Sequence, residues 1–272
     1  MRAYLKVIAI LLLPLAFVIF YAYSPIQIPP PGWKLSKASI PFPSLPFPSP
    51  KEEGSTAIET LPLKEISKDS LPPQGEVGGG LPDTTSHRIL FFGDSMVEGL
   101  LRRMNCYAFA NGHKMTNVVW YSSTTEIWAQ TDTLHYFINK VKPTFVMISL
   151  GSNEQFIKNA AGRETCIRQI LKELGNTPYV WIGVPAWRQD TGINDLTKRI
   201  VGEEHYFDSR GLTLQRGSDR MHPTFHAASL WMDTIAVWMA SPATAHPIRM
   251  NIPTDGRKHI YKTYALQPTR TP

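Results

Sequence analysis

From about residue 87 onward the chain alternates two hydrophobic rhythms. Ile89-Leu90-Phe91-Phe92, Thr144 to Leu150 and Tyr179-Val180-Trp181-Ile182-Gly183-Val184 are short runs with few or no charges. Runs of this kind, bounded by glycine or polar residues, suit strands covered on both faces. Asn117-Val118-Val119-Trp120-Tyr121 reads as another strand between the first two, and Tyr206-Phe207-Asp208 as a short last one. Helical spacing fills the gaps. Met96 to about Phe109 is the first predicted helix, and Glu126 to Val141 the next, ended before Lys142-Pro143. Arg163 to Leu174 carries the stripe Ile167, Ile170, Leu171 and Leu174 and stops at Gly175-Asn176. Phe225 to Met239 is the last helix, with Leu230, Ile235, Val237 and Trp238 available to pack. Strands alternating with helices predict an α/β domain built on a parallel sheet.

The chain upstream has a different character. Val7 to Tyr23 is almost wholly apolar and follows Arg2 and Lys6. At about 17 residues it is the short end of a membrane-spanning helix, and Pro14 is tolerable inside one. The expectation is an uncleaved anchor, residues 1–23, with the basic end cytoplasmic and the rest exported. A signal peptide cleaved near Ala22-Tyr23-Ser24 is the alternative, giving a secreted product. Residues 24–86 hold Pro29-Pro30-Pro31, Ile40-Pro41-Phe42-Pro43-Ser44-Leu45-Pro46-Phe47-Pro48 and Glu76-Val77-Gly78-Gly79-Gly80. Such a stretch supports neither a helix nor an interior strand, and reads as a linker, PPII-like at first and looser later. The α/β domain is then 87–240, and 241–272 a basic C-terminal tail.

Charge and cysteine content narrow the field. The formal net charge of the 272 residues is +6, but much of the excess lies at the two ends. The tail carries Arg249, Arg257, Lys258, Lys262 and Arg270 against Asp255, and the plain expectation is a solvated tail. The middle is near neutral, without the clustered basic face and motif of a nucleic-acid binder. Cys106 and Cys166 fit no metal-ligand spacing and are expected as two buried thiols, an exported disulfide being the alternative.

Three blocks carry chemistry. Gly93-Asp94-Ser95 follows the first strand, where a glycine permits a sharp turn and a helix N-terminus presents backbone N–H donors. Gly151-Ser152-Asn153 follows the third strand and puts an amide at its tip. Asp219 precedes His222 by one turn, so the carboxylate can hold Nδ1–H while Nε2 faces outward. In this order and placement the blocks resemble the SGNH, or GDSL-type, hydrolase family, over about residues 87 to 240. The resemblance implies a flavodoxin-like three-layer α/β/α fold. It implies Ser95 as nucleophile, His222 as general base, Asp219 as its orienter and Asn153 as an oxyanion-hole side chain beside the Ser95 N–H. The family usually has a glycine after its second strand whose N–H is a further donor. Here Ser122-Ser123-Thr124-Thr125 stands instead, and Ser123 or Thr124 takes that role, with Thr124 as the candidate donor.

The expected function is that of a serine esterase removing O-acyl groups, chiefly O-acetyl, from cell-envelope or extracellular glycans. No metal or cofactor is implied. An SGNH-type O-acetyltransferase and a non-catalytic glycan-binding or scaffolding protein are the alternatives. Trp187 leaves the fourth strand at the same sheet edge as Ser95 and is the candidate substrate wall, or else a cap on the core. Arg188 reads as solvated, Asp94 as a turn stabiliser, and His87, His205 and His226 as surface or packing residues.

Overall fold

A computed structural model describes residues 81–268 of the chain, all within its second unit, Thr60–Pro272. The expected anchor and nearly all of the expected linker lie outside the described residues. Among the described residues no helix is long and apolar enough to cross a membrane.

Six strands of the described region form one parallel sheet: β1 (Arg88–Gly93), β2 (Lys114–Trp120), β3 (Phe145–Ser149), β4 (Tyr179–Ile182), β5 (Tyr206–Phe207) and β6 (Lys262–Leu266). Their order is β5-β4-β3-β1-β2-β6. The first five are in flavodoxin-like order, with β6 added beside β2. Alternation along each strand builds two cores. Ile89, Phe91, Met147 and Ile182 face one side, where α1 (Met96–Ala110) and α6 (Phe225–Met239) pack. Leu90, Phe92, Ile148 and Trp181 face the other, against α2 (Thr125–Gln130), α3 (Thr133–Val141), α4 (Glu164–Leu174) and α5 (Ile193–Val201). Both faces being covered explains why β1 and β3 show no polar alternation.

Several boundaries differ from the sequence expectation. The helix expected over Glu126 to Val141 is two helices. Thr131 is extended (φ −121°, ψ 154°) and its hydroxyl donates to the Ile127 carbonyl, so the first helix ends there. Helix α5 was not anticipated. The largest correction concerns the tail. Residues 241–268 are not a solvated appendage: β6 pairs with β2 from Thr116↔Lys262 to Trp120↔Leu266, and Ile248 and Met250 are buried in the first core. The end of the expected linker is also tied in, since the Asp83 N–H donates to the Pro247 carbonyl at 2.8 Å and Arg249 N–H to the Asp83 carbonyl at 2.9 Å. Cys106 and Cys166 are unpaired and half-exposed, not buried.

Candidate active site

The carboxyl ends of β1, β2, β3 and β4 bring the predicted blocks together. Gly93 is required by close approach: a Cβ there would lie 1.9 Å from the Ser149 carbonyl oxygen on β3. Without it, the Asp94 N–H donates to that oxygen at 3.0 Å. The fully buried Asp94 carboxylate then locks the turn. Oδ1 accepts from the Met96 N–H at 3.0 Å, and Oδ2 from the Ser152 N–H and hydroxyl at 3.0 and 2.9 Å. Burial pushes this carboxyl up, against those hydrogen bonds and the nearby His222 ring. Asp94 therefore staples the Ser95 turn to the Asn153 turn, as expected of a turn stabiliser.

Ser95 caps the N-terminus of α1. Its Oγ is 2.8 Å from His222 Nε2, and His222 Nδ1 is 2.6 Å from Asp219 Oδ2. Asp219 Oδ1 also accepts from the backbone N–H groups of Met221 and His222 at 2.9 and 3.0 Å. Partial burial would raise this carboxyl, but the hydrogen bonds from His222 and the two backbone N–H groups outweigh it and hold it below the usual carboxylate range. An ionised Asp219 accepting from Nδ1–H leaves Nε2 as an acceptor for the serine hydroxyl. The three predicted residues thus form one continuous relay.

The base-bearing loop has a clamp that sequence reading did not single out. Arg216 donates from Nη1 to the Met221 carbonyl at 2.7 Å and from Nη2 to the Pro185 and Ala186 carbonyls at 3.3 Å. It therefore ties the His222 loop to the loop leaving β4. These contacts join residues some 30 positions apart, and only an arginine preceding the Asp-x-x-His block hinted at them. Across the loop, the Gly217 N–H donates to the His222 carbonyl at 2.8 Å.

The anion-stabilising side is assembled from three turns. One Asn153 amide N–H donates to the Ser123 carbonyl at 2.9 Å, which orients the amide and leaves its second N–H free. Ser122 has φ +58°, the left-handed conformation that favours glycine, so the turn keeps a glycine-like backbone without the glycine. Of the two candidate donors there, Ser123 is committed: its N–H donates to the Trp120 carbonyl at 3.1 Å. The N–H groups of Thr124 and Ser95 have no acceptor among the described residues. Glu154, buried beside Asn153, braces this turn. It accepts from the Thr125 N–H and hydroxyl, each at 2.8 Å, and meets the Arg163 guanidinium at 2.8 Å as a poorly angled ion pair. Burial pushes its carboxyl up despite those partners.

Trp187 is half-buried against the first core, edge-to-face with Phe156 at 6.2 Å and with the Arg188 guanidinium 4.8 Å from its ring centre. It caps the core and also borders the loop that Arg216 clamps. Arg188 is exposed but stacked on Trp187 rather than simply solvated. His87 is buried at the opposite sheet edge. His205 stacks on Tyr179, and His226 lies exposed on α6, so neither joins the relay. Among the described residues no cluster of histidine, cysteine or carboxylate side chains is arranged to hold a metal ion.

The parallel sheet with helices on both faces, and the meeting of the three blocks at the strand ends, are what the sequence resemblance implies. No family model matches it, and no curated protein does. Among solved structures it is similar to one titled "Structure of a putative lipolytic protein of G-D-S-L family from Desulfitobacterium hafniense DCB-2". The two share 15% identity over 55% of this chain and 98% of that one, with a TM-score of 0.41. That likeness is distant, and the functional reading rests instead on the chain's own side-chain geometry.

Proposed function

We propose that the protein is a serine esterase that removes O-acyl groups, O-acetyl above all, from glycans. The observation that carries the reading is the relay Asp219–His222–Ser95, each contact within hydrogen-bond distance. His222 Nε2 takes the hydroxyl proton as Ser95 Oγ attacks the ester carbonyl. Asp219 holds the tautomer and stabilises the imidazolium that forms. The tetrahedral oxyanion is held by the free N–H of Asn153 and by the backbone N–H groups of Ser95 and Thr124. Protonation of the leaving alkoxide by His222 expels the alcohol, and a water activated by the same ring releases the acid. Trp187, flanked by Phe156, offers an aromatic wall for a sugar ring.

Hydrolysis is favoured over transfer because the relay is open to water: the His222 and Asp219 side chains keep 31% and 26% of their exposure. A transferase must exclude water from its acyl-enzyme until the acceptor arrives. The deciding experiment is brief exposure of the full chain to 4-nitrophenyl acetate, followed by mass spectrometry. A transient acetyl group on Ser95 that discharges without acceptor is the expected result. A long-lived adduct released only by added glycan would establish the transferase instead, and turnover by Ser95→Ala equal to that of the wild type would sink the serine mechanism.

The glycan setting rests on topology. Residues 7–23 are proposed as an anchor holding the domain outside the cytoplasm, on the basis of Arg2 and Lys6 before an apolar run. Alkaline phosphatase fused after residue 86 should be active and membrane-bound. A soluble product beginning near Pro25 would show a cleaved signal instead.

A further inference from the structure

We infer that the site selects its ester by charge, preferring an alcohol that carries an ammonium group, such as a free amino sugar. The carrier of that selection is Glu98, held by Tyr121. This rests on the esterase reading and adds a substrate class to it.

The placement comes from α1. Ser95 is its N-cap, and the Glu98 N–H closes the first turn onto the Ser95 carbonyl at 3.1 Å. Side chains three apart on a helix share a face. The burial pattern agrees: Ser95, Glu98 and Arg102 lie on the open stripe of α1, while Met96, Val97 and Leu100 are buried. Glu98 is therefore the next side chain after the nucleophile along that stripe.

Its partners matter as much as its position. Oε2 accepts from the Tyr121 hydroxyl at 3.0 Å. Tyr121 itself is anchored by its N–H to the Leu266 carbonyl at 3.0 Å, so β6 fixes the far side of the pair. Burial first, and then the Glu98 charge and hydrogen bond, push this phenol up to about 12, so it stays a neutral donor and cannot neutralise Glu98. Among the described residues Glu98 has no ion pair. Arg102, one turn on, lays its guanidinium over the Phe225 ring at 3.7 Å instead. His222, which meets Ser95 through Nε2, turns its Nδ1 to Asp219 and not to Glu98. A half-buried carboxylate, held by Tyr121, thus lies one helical turn from the nucleophile with no ion-pair partner among the described residues. It attracts an ammonium on the substrate and repels a carboxylate. A purely structural Tyr121–Glu98 hydrogen bond would be served as well by a glutamine.

Three thioesters of matched reactivity test this on the full chain: acetylthiocholine, its neutral isostere 3,3-dimethylbutyl thioacetate, and S-acetyl-3-mercaptopropionate. Thiol release gives kcat/KM for each. Wild type should favour the cation over the isostere by roughly 10-fold, and the isostere over the anion by a similar factor, as expected for a charge pair at a partly screened site. Glu98→Gln should bring both ratios to about one. Tyr121→Phe removes the hydrogen bond and keeps the charge, so its ratios should persist. A wild-type ratio near one, or ratios that survive Glu98→Gln, would overturn the inference. Calorimetric binding of the same three compounds to Ser95→Ala reads the preference without turnover. Loss of turnover alone would then count against the esterase reading, and equal affinities against the charge selection.

Discussion

Imidazoles sit at both ends of the sheet, and the two ends use them in opposite ways. At the carboxyl end, His222 is half-exposed and its Nε2 points at Ser95 Oγ. At the amino end, His87 and His113 are buried with rings 5.5 Å apart. His113 Nδ1 accepts from the His87 N–H at 3.1 Å, so its Nε2–H donates to the Arg249 carbonyl at 2.9 Å. His87 Nδ1 lies 3.3 Å from the Thr144 hydroxyl. Both His113 nitrogens are spent on holding β1, β2 and the C-terminal segment together. Burial lowers the pKa of both rings at this end, despite Asp83 beside His87 and the Arg249 carbonyl on His113. The difference lies in the environment: one end fixes neutral rings as internal hydrogen-bonding struts, and the other leaves one ring nitrogen facing a hydroxyl at the water boundary.

That contrast breaks first at the relay. Ser95→Ala or His222→Ala should cost roughly 10⁴-fold or more in kcat on an activated ester, with Asp219→Asn somewhat less damaging, while the far-UV spectrum is retained. Substituting His87 should instead change stability far more than kcat. If His87 variants lost turnover as His222 variants do while staying folded, the division between the two ends would be wrong.

Asn153→Ala comes next. It removes the free amide N–H and the contact that orients it on the Ser123 carbonyl. The expected loss is ~10²–10³ in kcat with a smaller change in KM. A change confined to KM would place Asn153 in ground-state binding and not at the oxyanion.

Arg216→Met should cost less, on the order of 10-fold in kcat, because it loosens the loop that carries His222 without removing a reacting group. The same change should make urea unfolding easier, since three carbonyls lose a charged donor. Steady-state kinetics beside an unfolding curve separates the two effects. Unaltered kcat at full occupancy would show that the His222 loop holds its place without the clamp.

How much of this could be read in the sequence depended on the range of the forces involved. Strands β1, β3 and β4 were legible because burial on both faces leaves uninterrupted apolar runs, and α6 fell on its expected bounds, Phe225–Met239. The relay residues were legible because each sits next to a strand end or one turn from its partner. Strand β6 was not: Lys262-Thr263-Tyr264-Ala265-Leu266 is half-exposed at a sheet edge and carries a charge, so it looks like tail. Helix α5 was missed for a related reason, its apolar positions being diluted by Asn194, Asp195, Lys198 and Arg199. Arg216 and Glu98 gain their meaning from partners far along the chain, which no local pattern announces. The Ser123 and Thr124 alternatives were separated only by a backbone hydrogen bond to Trp120.

The smallest effect expected concerns the buried end and appears only as a slope. His87 and His113 have lowered pKa values in the folded protein, against an ordinary value of 6.5. As pH falls through 6.5, the unfolded chain takes up protons that the folded one refuses. Unfolded protein then binds more protons, so stability must fall with falling pH, and the loss continues until the folded-state values are reached. Each imidazole contributes at most ~1.4 kcal/mol per pH unit. Between about pH 7.5 and 5.5 the lowered Asp219 carboxyl stays ionised, and the raised Asp94 and Glu154 carboxyls, which act in the opposite sense, are common to wild type and variant and cancel in their comparison. His246 is lowered by burial as well and adds to the same slope. Urea unfolding of wild type and His113→Gln across that window gives the comparison. The variant loses absolute stability with the strut, but what tests the idea is its shallower pH dependence, reduced by the share of one imidazole. Equal slopes in the two proteins would mean that His113 binds its proton as readily folded as unfolded, and the two ends of the sheet would then differ in hydrogen bonding alone.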